Sequence, residues 1–187
     1  MNDSAAQDPV SWHNTGIGLK RSADIIWRSW WETIKRLDEA PTTVPGRVAA
    51  DIYVLWPSFM LLFGLALENL LKGIIVTKNP ASFSQKIRWS GKLKGGHNIV
   101  GLCEEAGISI SDEEKRLLEE LTESIIWRGR YPVPKNHKNT KDYVVPVGIT
   151  FKQHDLNKME GYKKACDNLF YKIAYALERT ARIGFFS

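Results

Sequence analysis

The sequence predicts an all-α protein, an antiparallel helical bundle of four long helices plus one short helix, and three observations carry that prediction. Apolar residues recur at spacings of three and four along separate stretches of the chain. Clusters of proline and glycine divide those stretches from one another. Only Tyr143-Val144-Val145 reads as a short extended piece, too little for a sheet.

Residues 1–16 read as a flexible tail, because the start is polar and acidic and shows no periodicity, and a single domain is expected over 17–187. Leu19, Ala23, Ile26, Trp30, Ile34 and Leu37 form the stripe of the first helix. The breaker run Ala40-Pro41-Thr42-Thr43-Val44-Pro45-Gly46 ends it, and a second helical region is predicted from about Arg47 to about Lys78. Pro57 is expected to kink or split that region, since proline lacks a backbone donor and crowds the preceding turn. The run from Ile52 to Leu67 holds no charge, but it is shorter than the ~20 apolar residues a bilayer demands. With Glu68, Asn69 and Lys72 following at once, it reads as a core helix and not a membrane span.

Asn79-Pro80 opens a loop to about Gly96 in which Lys86, Arg88, Lys92 and Lys94 occur without an acidic residue between them. A short helix from His97 to Ala106 is predicted next, closed by Gly107 as a left-handed cap. Ser111-Asp112-Glu113-Glu114 then has the form of a capping box, with Glu114 placed to reach back to the Ser111 amide. The helix it starts carries Leu117, Leu118, Leu121, Ile125 and Arg128 on one face. After the loop from Tyr131 to His154, with its three prolines, the last helix is predicted from about Asp155, with Met159, Tyr162, Cys166, Leu169, Ile173 and Leu177 in register.

Composition narrows the function. A chain of 187 residues is one domain's length, and 26 Lys and Arg against 21 Asp and Glu leave a net charge of +5, which suits a polyanionic partner without requiring one. Two cysteines, Cys103 and Cys166, are too few for a disulfide framework. No signal peptide is recognisable, so a reduced, cytoplasmic protein is expected. Seven tryptophans and seven phenylalanines offer material for a core and for self-association.

The chemistry concentrates in Trp127-Arg128-Gly129-Arg130-Tyr131-Pro132-Val133-Pro134-Lys135-Asn136-His137. An arginine fork binds phosphate oxygens, and an imidazole gives or takes protons near neutral pH. Arg130 and His137 are therefore the candidate catalytic pair of a metal-independent RNA cleavage that ends in a 2′,3′-cyclic phosphate. Arg128, Tyr131, Lys135 and Lys138 are candidate substrate-binding residues, the tyrosine by stacking on a base. The competing interpretation is a helix end whose arginines complement the macrodipole, followed by a solvated loop. Glu68 and Lys72, four apart on the most apolar helix, are a candidate supporting polar pair that either orients a catalytic group or neutralises itself at a helix interface. His97 is assigned to the start of the short helix. No spacing of His, Cys, Asp or Glu suggests a metal site, no glycine-rich phosphate loop follows a strand, and no cofactor is called for.

Three segments in order, Leu67-Glu68-Asn69-Leu70-Leu71-Lys72, then Gly96-His97-Asn98-Ile99-Val100-Gly101-Leu102 with Ala106-Gly107-Ile108, then Arg130-Tyr131-Pro132, resemble the HEPN superfamily of α-helical domains over about residues 47–180. The resemblance implies a homodimeric bundle with a cleft shared by two copies. Many members are metal-independent endoribonucleases of toxin or phage-defence systems that use an arginine, four to six residues and a histidine, a pattern that Arg130 and His137 match. It also implies a possible neighbouring antitoxin or nucleotidyltransferase partner. Tyr131-Pro132 resembles the branches that pair with nucleotidyltransferases and lack nuclease activity, so the alternative expectation is a non-catalytic dimerisation module or a nucleotide-binding accessory protein.

Overall fold

The computed structural model describes residues 8–39, 46–79, 97–128 and 153–182, with side chains over 8–36, 54–79, 97–126 and 157–182. These residues form five α-helices and no strand: α1 Pro9–Glu39, α2 Gly46–Lys78, α3 Ile99–Ala106, α4 Asp112–Glu123 and α5 Gln153–Ala181. A π-helical turn, Ser124–Arg128, extends α4. Three helices are long, with 31, 33 and 29 residues, whereas α4 has 12 and α3 has 8.

Local signals account for several boundaries. The capping box is formed in both directions, Ser111 Oγ accepting from the Glu114 amide and the Glu114 carboxylate accepting from the Ser111 amide. Gly107 ends α3 at φ 67, in the left-handed region that glycine enters without a Cβ penalty.

The first helix starts earlier than expected. Residues 9–16, assigned to a flexible tail, are the opening turns of α1, and Asp8 caps them by accepting from the amides of Val10 and Ser11. Tertiary packing explains the difference. A Cβ added at Gly73 would lie 3.0 Å from Trp12 Cβ and 2.9 Å from Leu177 Cδ2, so α1, α2 and α5 approach closely there. Nor does Pro57 split α2, which runs unbroken from Gly46 to Lys78. An interior proline costs about 3 kcal/mol or more; burial of Phe59, Met60 and Phe63 just beyond it, at about 1.5–3 kcal/mol each, offsets that cost.

Contacts define the helix directions. Trp12 meets Gly73 while Trp27 meets Trp56 and Phe59, so α1 and α2 run antiparallel. Tyr162 reaches Met60 and Leu177 reaches Gly73, so α5 runs with α2. Glu114 pairs with Lys172 and Glu120 with Tyr162, so α4 runs against α5. α2 is the centre of the core, with Phe59, Phe63, Leu67, Leu70, Leu71 and Ile74 each fully buried. Val54–Lys78 is long and apolar enough to cross a membrane, but 72% of its most apolar window is buried against the other helices, as a core helix requires.

Candidate functional site

Glu68 stands among Leu67, Leu70 and Leu71 on α2, and the helical repeat puts Lys72 one turn further along the same face. Lys72 Nζ donates to Glu68 Oε1. The second carboxylate oxygen is also occupied, because His97 Nδ1 lies 2.9 Å from Glu68 Oε2. The Glu68 side chain is 4% exposed, Lys72 15% and His97 31%. A carboxylate removed from water this far is costly unless donors replace its hydration, and here each oxygen has one.

The start of α3 aims His97. Asn98 is the N-cap, its side chain accepting from the Gly101 amide at 3.1 Å, and the Ile99 amide donates to Thr122 Oγ1 at 3.2 Å. These bonds tie the residues after His97 to α3 and α4, which leaves the imidazole directed at α2. The donor on Nδ1 also has a chemical consequence. An ionised carboxylate accepts only, so the neutral ring carries its proton on Nδ1 and its lone pair on Nε2.

α4 crosses the same helix one turn before Glu68. A Cβ added at Gly64 would lie 2.9 Å from Ile125 Cδ1 and 3.3 Å from the Leu121 carbonyl oxygen. The π-helical turn that ends at Arg128 is therefore seated on α2 beside the Glu68 segment. Of the sequence-predicted residues, Glu68 and Lys72 are in contact, and the Arg128 backbone closes the turn. Arg130, Tyr131, Lys135, His137 and Lys138 lie outside the described residues, as do the basic loop and Tyr143-Val144-Val145.

Sequence reasoning assigned His97 to a helix start and did not join it to Glu68. The missed signal was Glu68 itself, since an ion pair with Lys72 in an apolar helix leaves one carboxylate oxygen still in need of a donor.

Two other charged clusters lie between α1 and α5. Lys20, 6% exposed at its side chain, contacts Asp24 at 2.6 Å and Asp167 at 2.9 Å, while Lys163 contacts the same two carboxylates. Burial acts to lower the Lys20 pKa, but the two carboxylates outweigh it and hold the ammonium above its usual range. His13 Nε2 lies 3.2 Å from Glu178 Oε1, joining α1 to α5 with both side chains buried. Burial pushes the Cys103 thiol up to about 12 and raises Cys166 as well, so neither is a nucleophile near neutral pH. Among the described residues no group of three or more His, Cys, Asp or Glu is arranged to hold a metal ion.

No protein-family model, curated protein or solved structure matches the chain.

Proposed function

We propose that this protein is a metal-independent endoribonuclease of toxin or phage-defence type, built as a cytoplasmic, homodimeric HEPN-like bundle. Arg130 neutralises the scissile phosphate, and His137 moves a proton during attack of the RNA 2′-hydroxyl. Arg128, Tyr131, Lys135 and Lys138 hold the strand through phosphate and base contacts. Attack forms the 2′-oxygen–phosphorus bond and breaks the bond to the 5′-oxygen, giving a 2′,3′-cyclic phosphate and a 5′-hydroxyl.

The observation that supports this reading is the crossing at Gly64. The helix that leads into Arg130 is anchored one turn from a buried carboxylate that already holds a lysine and a histidine. Buried polar groups of this kind are costly as scaffolding and suit a site where charge moves.

The test is cleavage of labelled RNA by the purified chain in excess chelator. Cleavage is expected to persist, to leave cyclic phosphate ends, and to fall at least ~100-fold in His137→Ala and in Arg130→Ala. Unchanged cleavage by His137→Ala would sink the assignment.

A second reading, a non-catalytic dimerisation or nucleotide-binding accessory module, is favoured by five exposed large apolar side chains, Ile25, Val54, Ile126, Tyr171 and Tyr175. A stable dimer in sedimentation, with no RNA cleavage under any condition, would select it.

A further inference from the structure

We propose that Glu68 and His97 form a proton-transfer dyad in which His97 Nε2 takes the 2′-hydroxyl proton of a bound ribonucleotide, with Glu68 and Lys72 as positioning residues. The substrate rests on the endoribonuclease reading above, whereas the dyad rests on geometry alone.

RNA transesterification moves two protons at two oxygens. The attacking 2′-oxygen loses one, and the departing 5′-oxygen gains one on the opposite side of phosphorus. A single imidazole cannot serve both oxygens in the same step. His97 provides a second ring with the features a base requires. Its Nδ1 is committed to a buried carboxylate at 2.9 Å, the next residue is the N-cap of α3, and its ring retains 31% exposure. No described residue bonds its Nε2. The Glu68 carboxylate fixes the tautomer and faces the positive charge that appears when the ring accepts a proton, the role a buried acid plays behind a catalytic histidine. Lys72 donates to the other carboxylate oxygen and so holds Glu68 in place behind the ring.

The proton balance is complete. The 2′-oxygen's proton passes to His97 Nε2 as the oxygen–phosphorus bond forms. The phosphorus–5′-oxygen bond breaks, and that oxygen takes its proton from water. His97 then returns its proton to solvent.

His13 is the internal control, because it also meets a glutamate but is 3% exposed. Two measurements on the full chain test the dyad without RNA. In nitrogen-resolved NMR of the imidazoles, neutral His97 is expected as the Nδ1-protonated tautomer, and Glu68→Gln is expected to return it toward the Nε2-protonated form of free histidine. Diethyl pyrocarbonate, followed by peptide mapping, should modify His97 in the native chain and spare His13 until the chain unfolds. The rate at His97 should fall about tenfold in Glu68→Gln, the effect of losing one charge-assisted hydrogen bond. An Nε2-protonated His97 in the wild-type chain, or equal modification rates at His97 in both proteins, overturns the dyad.

Labelled RNA supplies the third arm, with His97→Gln checked for native helicity and melting. Cleavage should fall about 100-fold. Unchanged cleavage by His97→Gln removes His97 from the reaction and leaves the endoribonuclease reading intact. Absence of cleavage by the wild-type chain overturns that reading and the ribonucleotide substrate together, and the imidazole signals still decide the dyad.

Discussion

His13–Glu178 and His97–Glu68 are the same pair of residue types in contact, and they differ in what surrounds the ring. The first joins α1 to α5 with side chains 3% and 8% exposed, so the imidazole is sealed between helices. In the second the carboxylate is equally buried, but the ring opens to solvent and the glutamate holds a lysine as well. Pair chemistry alone does not separate a structural clamp from a reactive centre. Exposure of the ring does, because a nitrogen sealed between helices is closed to solvent.

The comparison is open to breaking by truncating each acid in turn. Glu178→Ala removes the carboxylate that meets the buried His13 ring and is expected to cost about 3 kcal/mol. Glu68→Ala is expected to cost about 1–2 kcal/mol, since His97 and Lys72 turn toward water. Urea unfolding measures both, and equal losses would show that exposure of the partner does not set the cost.

The Lys20 cluster extends the sealed side of the comparison to a group whose titration has a defined sign. Lys20 is held above its ordinary pKa of 10.5 although burial opposes this, because Asp24 and Asp167 bond the charged form. Its stabilisation is therefore full below about pH 10.5 and is lost as pH rises through the raised value. The urea midpoint of the wild-type chain should fall more steeply above that pH than the midpoint of Lys20→Met. Parallel curves would mean that Phe63, Phe170 and Tyr171, whose rings lie 5.5–5.9 Å from the ammonium, hold Lys20 without help from its charge.

The smallest effect belongs to the open end of the series. Lys172 and Glu114 pair across α4 and α5 at 2.8 Å with side chains 41% and 26% exposed. Lys172→Ala should cost only about 0.5 kcal/mol at neutral pH. Burial opposes ionisation of Glu114, but Lys172 and the Ser111 amide outweigh it and hold the carboxyl below its usual value of 4.5. The contribution is thus present above about pH 4.5 and lost as pH falls through the lowered value. A loss as large as that of Glu178→Ala would end the correlation with burial.

Much of the fold was legible because its signals are short-range. Ser111 with Glu114 and Gly107 after α3 act within a few residues, and the stripe Cys166, Leu169, Ile173 and Leu177 is buried as its spacing predicted. The early start of α1 was not legible, since Trp12 and His13 are ordered by α2 and α5, far away in sequence. The π-helical turn at Ser124–Arg128 was also unforeseen, and it lies where α4 crosses closely over Gly64, a contact made by tertiary packing. At the candidate site, the Glu68–Lys72 pairing followed from one helical turn. The His97–Glu68 bond spans 29 residues and did not.

Among the described residues, the sequence by itself determined the five helices, most of their ends and much of the apolar face of each, because caps and periodicity are properties of neighbouring residues. Only the tertiary structure decided which acid meets which histidine and which ring stays open. Those contacts depend on the register in which the helices pack, and a carboxylate forced into the core takes whatever donors that register brings within reach.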